Sequence, residues 1–193
     1  SIFIFFLPFA AINICLILVT HYPEFFSRQE DTLNPFFPYI DGEASISRVA
    51  RPYPSWLVFK PAMLLTSLLL VMYWFNTKWV IYSFDKNHRH IKKIIFFGIA
   101  SAILLAIHSI FLGIKFEYDL YKLFRRVVLL SFIIFEVIAQ TFLVLTLIEL
   151  KSKINSYINK KFLKLKLILV YTLIIVALFS IVLISLPGNK VIK

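Results

Sequence analysis

Long uninterrupted apolar runs constrain this chain more than any other feature. A helix of about 20 apolar residues is what is needed to cross the ~30 Å hydrocarbon core of a bilayer. Such runs occur at residues 1–20, 57–80, 94–114, 127–148 and 167–186. Backbone groups in lipid must satisfy their own hydrogen bonds, and the alternating segments typical of membrane barrels are missing from the sequence. We therefore predict an all-α, polytopic transmembrane helix bundle of about five helices, forming a single transmembrane domain over residues 1–193.

The composition agrees with a lipid environment. Only 16% of the residues are charged and 60% are hydrophobic, with a mean hydropathy of +0.85, whereas a soluble domain is about a quarter charged. The formal net charge is +11, but the basic residues flank the apolar runs, where they would meet lipid headgroups. We expect membrane lipids as partners and no nucleic acid.

The connections between the runs predict an orientation. Residues 85–93 and 149–166 are short and rich in basic residues, which indicates the cytoplasmic side, and residues 115–126 form a mixed connection opposite them. The N-terminus is then cytoplasmic, and a long loop over residues 21–56 is non-cytoplasmic. The first run lacks a basic leader and a small-residue cleavage site, so we expect a retained helix rather than a signal peptide.

The loop over residues 21–56 is the most polar part of the chain. It carries five of the ten acids and five of the eight prolines, together with many aromatic residues, so we expect a stiff cap that folds back on the helix ends. Its charged residues could form a recognition site for a headgroup or a protein, or could pair with each other and pin the cap. The residues in question are Asp41, Glu43, Arg48 and Arg51.

Ionisable side chains inside the apolar runs are the second candidate site, because they are costly in lipid unless they face a partner. His108 lies in the third run and Glu136 in the fourth, and Gln140 is one helical turn from Glu136. A short connection makes these runs antiparallel neighbours, so a His108–Glu136 pair is geometrically feasible. This polar seam could be a proton or ion relay or a ligand site, or it could be interhelical hydrogen bonding that fixes the packing.

Several classes of function are excluded by what the sequence lacks. A single cysteine, Cys15, permits neither an internal disulfide nor a cysteine metal cluster. There is no lysine deep in a run for a retinal Schiff base, no second deep histidine for a bis-histidine haem, and no hydrolase or phosphate-loop motif. His88 and His90, beside Arg89 in a basic loop, are expected to meet phosphates rather than a metal. We predict no catalytic residue, no metal site, no cofactor and no enzymatic activity.

A short motif suggests a family. The layout of a first helix, a long non-cytoplasmic loop with a Pro-aromatic-Ile-Asp turn and later prolines, and then a bundle with basic inner loops resembles the Frag1/DRAM/Sfk1 group of membrane proteins. The residues that carry the resemblance are Pro38, Tyr39, Ile40, Asp41, Pro52 and Pro54. The resemblance implies a non-catalytic or lipid-related role, since members are linked to lipid remodelling, lipid asymmetry and autophagy.

Three functional hypotheses follow. The first is a non-catalytic membrane protein that recognises lipid or scaffolds partners through the 21–56 loop and the polar seam. The second is an accessory subunit of a larger membrane complex, with its aromatic surfaces packed on other chains. The third is a small proton-coupled transporter centred on Glu136 and His108, which the lack of an internal repeat disfavours.

Overall fold

The fold is entirely helical in the part of the chain that the structure describes. The computed structural model describes residues 2–26, 46–114, 119–151 and 160–185, and these contain five long helices and no β-strand. The elements are α1 (Ile2–His21), a 3₁₀ turn (Pro23–Phe25), α2 (Ile46–Val49), α3 (Ser55–Phe84), α4 (Ile91–Phe111), α5 (Asp119–Glu149) and α6 (Lys160–Ser185). The predicted all-α membrane fold is confirmed.

Four of the helices are long and apolar enough to cross a membrane, judged by length and composition. They are α1, α3, α4 and the segment Leu123–Glu149 of α5. Between 22% and 33% of each apolar window is buried in the protein, so most of the apolar side chains face outwards, as lipid contact requires. The chain is a multi-pass integral membrane protein. A fifth crossing by α6 stays a prediction.

The ends of the helices differ from the predicted bounds where charged residues adjoin the apolar runs. Helix α5 begins at Asp119, ahead of the predicted start at residue 127, so residues 119–126 of the expected connection are helical. Helix α6 begins at Lys160, ahead of the predicted 167. Long basic side chains can extend towards water from helical positions, so charge by itself does not end a membrane helix.

The helices are divided between two compact units. Unit 1 comprises residues 1–74 and 99–132, and unit 2 comprises residues 75–98 and 133–193. Helices α3, α4 and α5 each contribute a segment to both. The prediction of a single transmembrane domain is untested by this division.

Unit 1 is packed through small polar and apolar side chains. The Ser67 hydroxyl in α3 donates to the Ala102 carbonyl in α4 at 2.9 Å, which joins the two helices across a close approach. Thr66 and Ser109 instead donate to carbonyls four residues earlier on their own helices. A buried apolar cluster, here called the unit 1 core, consists of Cys15, Leu16, Val19, Phe26, Val49, Ala50, Phe59 and Leu112.

Candidate functional site

The unit 1 core holds one end of unit 1 together and supports the first candidate site. It joins the last turns of α1, the short helix α2, the start of α3 and the end of α4. Val49 and Ala50 are buried at 3% and 1% exposure, so the final part of the 21–56 loop is anchored to the helix ends. The anchoring fixes the backbone of Arg51, the next residue along the chain.

The C-terminal end of α4 is capped by side chains from two other helices. The last carbonyls of a helix lack partners within it and form the negative end of its dipole. The Lys60 ammonium in α3 donates to the Ile110 carbonyl at 3.2 Å, and the Tyr121 hydroxyl in α5 donates to the Phe111 carbonyl at 2.6 Å. Lys60 also lies 5.3 Å from the ring centre of Trp56. The α4 terminus is therefore a meeting point of α3, α4 and α5.

The loop backbone passes directly over this terminus. Gly113 has a φ of +89°, a left-handed conformation that favours glycine, and it follows the end of α4. A side-chain Cβ at Gly113 would lie 3.4 Å from the Arg51 carbonyl oxygen. The positive φ favours glycine, and the Arg51 carbonyl lies at ordinary van der Waals distance from the space that a Cβ would take, so Arg51 is beside the α4 terminus.

Arg125 brings a second guanidinium group to the same end of unit 1. It lies one turn after Tyr121 on α5, with its guanidinium carbon 5.9 Å from the Tyr121 ring centre. Its Nε is buried and has no hydrogen-bond partner among the described residues. Arg51 and His108 are each within electrostatic range of Arg125. We call Arg51, Lys60, His108 and Arg125 the basic cluster.

The basic cluster has no carboxylate partner within the part of the chain that the structure describes. None of the ion pairs found there involves one of its members. The His108 Nδ1 is likewise buried without a hydrogen-bond partner among the described residues. Two positive guanidinium groups, one of which has a buried Nε donor without a described partner, have the charge and hydrogen-bonding capacity to bind an anion.

The predicted loop residues have different outcomes. Asp41 and Glu43 lie outside the described residues, so their roles as recognition or salt-bridge groups stay predictions. Arg48 is exposed on α2 and takes part in a further contact. Arg51 is exposed beside the α4 terminus. Arg125 was missed by the sequence reasoning, which counted it only as a charge in a connection.

The predicted polar seam is divided between the two units. Glu136 and Gln140 belong to unit 2, where the Gln140 amide donates to the Glu136 carboxylate at 2.9 Å along one face of α5. Both side chains are half-buried, and Glu136 has a further contact. His108 belongs to unit 1. The Glu136–Gln140 contact matches the one-turn spacing in the sequence, while the His108–Glu136 pair stays a prediction.

Unit 2 contains a second polar cluster, formed by the loop between α3 and α4 and the last turn of α5. His88 Nε2 lies 3.0 Å from one carboxylate oxygen of Glu149, and the Arg89 guanidinium donates to the other. His90 Nε2 lies 3.7 Å from that second oxygen. We call His88, Arg89, His90 and Glu149 the Glu149 cluster.

Hydrogen bonds in the Glu149 cluster favour one tautomer of each imidazole. The His90 backbone N–H donates to His88 Nδ1 at 3.3 Å, so a neutral His88 carries its proton on Nε2 and donates it to Glu149. Arg89 Nε donates to His90 Nε2 at 3.0 Å, which requires that nitrogen to be unprotonated. Consistently, burial and then the charge of Arg89 hold the pKa of His90 below its ordinary value.

Aromatic contacts support the Glu149 cluster from α5. The His90 ring lies 5.3 Å from that of Phe142, and Lys93 Nζ lies 5.2 Å from the centre of the same Phe142 ring. No group of three or more histidine, cysteine or acidic side chains among the described residues is arranged to hold a metal ion. The cluster therefore balances charge internally, because the Glu149 carboxylate binds His88 and Arg89 while His90 accepts from Arg89.

Comparison with known proteins yields no relative. No protein-family model, curated protein or solved structure matches this chain.

Proposed function

We propose that this chain is a non-catalytic integral membrane protein that recognises anionic membrane lipid at the loop-bearing end of unit 1. The single observation that carries the proposal is the basic cluster, in which Arg51 and Arg125 both lie at the α4 terminus and no described carboxylate pairs with either. An anionic headgroup bound at these helix ends would accept charge-assisted hydrogen bonds and relieve the repulsion between the two guanidinium groups.

The surroundings of the basic cluster suit a lipid. Helix ends lie at the depth of headgroups, and amphipathic aromatic side chains are common there. The rings of Phe111, Tyr121 and Phe124 contact one another at the junction of α4 and α5, with Phe124 in an edge contact 5.5 Å from Phe111. A headgroup at Arg125 would place its acyl chains beside such a surface. In the proposed orientation, with the N-terminus cytoplasmic, this end faces the non-cytoplasmic leaflet.

The test is a gentle purification of the intact chain in mild detergent, followed by mass spectrometry of the lipids and proteins that remain bound. We expect anionic phospholipid to be enriched over zwitterionic phospholipid relative to the source membrane. Replacing both Arg51 and Lys60 by Gln should abolish that enrichment. Equal recovery of both lipid classes with the wild-type chain would contradict the proposal.

An accessory-subunit role is the second candidate, and the surface of α1 favours it. Phe5, Phe6 and Phe9 are between 55% and 65% exposed, and Phe5 stacks on Phe9 with ring centres 5.8 Å apart. A preformed aromatic surface could pack on a helix of another chain. The same purification tests this role, because a stoichiometric protein partner lost on Phe5→Ala/Phe9→Ala replacement would support it, and a monodisperse chain on its own would contradict it.

The transporter hypothesis and the family resemblance remain proposals of lower rank. A carrier centred on Glu136 would lose proton uptake in Glu136→Gln, whereas unchanged uptake would eliminate that hypothesis. The Glu136–Gln140 hydrogen bond within one helix gives the carboxylate a structural role without transport. A Frag1/DRAM/Sfk1-like role in lipid organisation is compatible with the proposed lipid recognition and rests on the sequence motif alone.

A further inference from the structure

We propose that the ligand of the basic cluster is a phosphate group, bound between Arg51 and Arg125 and hydrogen-bonded to the buried Nε of Arg125. This inference rests on the proposed function and deepens it, because it names the chemical group that is recognised and the donor that recognises it. The group could belong to a phospholipid or to free inorganic phosphate, and the experiment below distinguishes these sources.

The like charges of Arg51 and Arg125 favour an anion between them. Two guanidinium groups that act on each other electrostatically are both positive at any physiological pH, since arginine does not lose its proton in proteins. Each charge therefore disfavours the other. Neither is found in an ion pair among the described residues. A single anion between them converts the repulsion into two attractions.

The Nε–H group of Arg125 needs a hydrogen-bond acceptor. The Arg125 Nε–H is buried and lacks an acceptor among the described residues, an arrangement that folded proteins avoid. The terminal nitrogens of a guanidinium can reach outwards, but Nε is fixed close to the helix. A ligand that satisfies it must insert an oxygen below the surface. General attraction to a charged leaflet would leave this donor unpaired.

The number of its oxygens makes phosphate a better ligand for this site than other anions. Phosphate presents several oxygens around one centre, so it can accept paired hydrogen bonds from Arg125 and others from Arg51 at the same time. A carboxylate has two oxygens in one plane, so it can make paired hydrogen bonds to only one guanidinium at a time. His108 adds a further buried nitrogen, Nδ1, without a described partner and within electrostatic range of Arg125. The donors of the two guanidinium groups already fit the larger acceptor.

The experiment measures binding to the purified full-length chain in detergent by native mass spectrometry. The probes are phosphatidic acid, oleate as an anionic lipid without phosphate, and inorganic phosphate. The variants are Arg51→Gln, Arg125→Gln and Arg125→Lys, with Arg126→Gln as the matched control, since Arg126 is the exposed neighbour on the same helix. Thermal midpoint and monodispersity establish that each variant folds. Arg51 is exposed, which makes Arg51→Gln informative even if an Arg125 variant fails to fold.

We expect wild type to bind phosphatidic acid about tenfold more tightly than oleate, and Arg51→Gln and Arg125→Gln each to lose about tenfold in phosphatidic acid affinity. Arg126→Gln should bind like wild type. Arg125→Lys is the decisive variant, because it retains the charge and removes the buried Nε donor. It should lose nearly as much affinity as Arg125→Gln.

Two outcomes separate this inference from the proposed function. If Arg125→Lys binds phosphatidic acid like wild type, or if oleate binds as tightly, the phosphate site is overturned while recognition of anionic lipid stands. If Arg51→Gln and Arg125→Gln both bind like wild type, both proposals fail. Inorganic phosphate that binds alone and displaces phosphatidic acid, with the same dependence on both arginines, supports the site and makes free phosphate its ligand.

Discussion

The basic cluster of unit 1 and the Glu149 cluster of unit 2 contain similar basic side chains, but they differ in whether a carboxylate pairs with those side chains. In unit 2, Glu149 accepts from His88 and Arg89, so the positive charge of the loop is balanced by the protein's own carboxylate. In unit 1, Arg51 and Arg125 have no such partner among the described residues. We therefore expect basic residues at a membrane surface to serve as a binding site only where no carboxylate of the chain balances their charge.

The two clusters also differ in what supports them. The basic cluster stands on a buried apolar core that joins α1, α2, α3 and α4. The Glu149 cluster is held by its own hydrogen bonds and by the half-buried ring of Phe142. Changes in packing should therefore weaken the first more than the second, while changes in protonation should act on the second.

The largest effect is expected from removing a core side chain of unit 1. Phe59 is 3% exposed, and Phe59→Ala should lower the free energy of unfolding by about 3–5 kcal/mol. Phe142→Ala in unit 2 removes a half-buried ring and should lower it by about 1–2 kcal/mol. Unfolding by sodium dodecyl sulfate in mixed micelles measures both. The control is Phe96→Ala, since Phe96 is exposed. Equal losses of unfolding free energy for Phe59→Ala and Phe142→Ala would show that packing supports the two clusters equally.

The next effect concerns lysines at the two clusters. Lys60→Met keeps much of the apolar stem but leaves the Ile110 carbonyl without its donor, so we expect a loss of about 1–2 kcal/mol in the free energy of unfolding. Lys93→Met removes only the exposed contact with Phe142 and should cost about 0.5 kcal/mol. The same titration measures both variants. If Lys93→Met lowers the free energy of unfolding as much as Lys60→Met does, the hydrogen bond from Lys60 to the Ile110 carbonyl contributes little to stability.

Helix positions were predictable from the sequence, because apolar runs of sufficient length have few other solutions in lipid. All five predicted runs lie largely within helices, and the Glu136–Gln140 contact follows from helical spacing. The start of α5 was not predictable from hydropathy, because its first turns carry charges that extend to water. Arg125 lies one turn from Tyr121 because α5 already includes these residues. Hydropathy does not predict that the helix extends this far.

The Glu149 cluster could not be predicted because its contacts join residues far apart in the chain. Glu149 was visible only as the single acid beside six lysines over residues 149–166, and His88 and His90 were assigned to phosphates. The contact depends on how the end of α5 packs against the α3–α4 loop. Local spacing carries no information about that packing.

The third prediction uses pH. The pKa of His90 is below its ordinary value, chiefly through burial, and then through Arg89, with Glu149 opposing and His88 and Lys93 adding to the shift. The unfolded chain binds the proton more readily, so this group's contribution to stability is fully present above pH ~6.5 and is lost as pH falls through the lowered pKa. Acid should therefore loosen the loop.

Hydrogen exchange at the Ile91 and Ile94 amides reports that loosening, since these donate to the His88 and His90 carbonyls at 3.2 and 3.0 Å. After correction for intrinsic rates, exchange should be about two- to fivefold faster at pH 5.5 than at pH 7.5. His90→Gln, which does not titrate, should reduce the difference. A pH dependence that survives in His90→Gln would assign the effect to another group.

The smallest predicted effect tests the central contrast most directly. If Glu149 is what keeps the unit 2 loop from binding phosphate, Glu149→Gln should strengthen the weak residual binding of lipid phosphate. We would measure phosphatidic acid affinity in the Arg51→Gln/Arg125→Gln background, which lacks the unit 1 site, and expect Glu149→Gln to raise it about two- to threefold, the size typical of exposed charge effects. Asp85→Asn is the matched control, because Asp85 lies in the same loop and accepts only from Asn87 among the hydrogen bonds found for its side chain in the described residues. A rise in Glu149→Gln alone would mean that local charge balance decides which basic cluster binds lipid. An equal rise in Asp85→Asn would mean that net charge decides it, and the comparison between the two clusters would lose its basis.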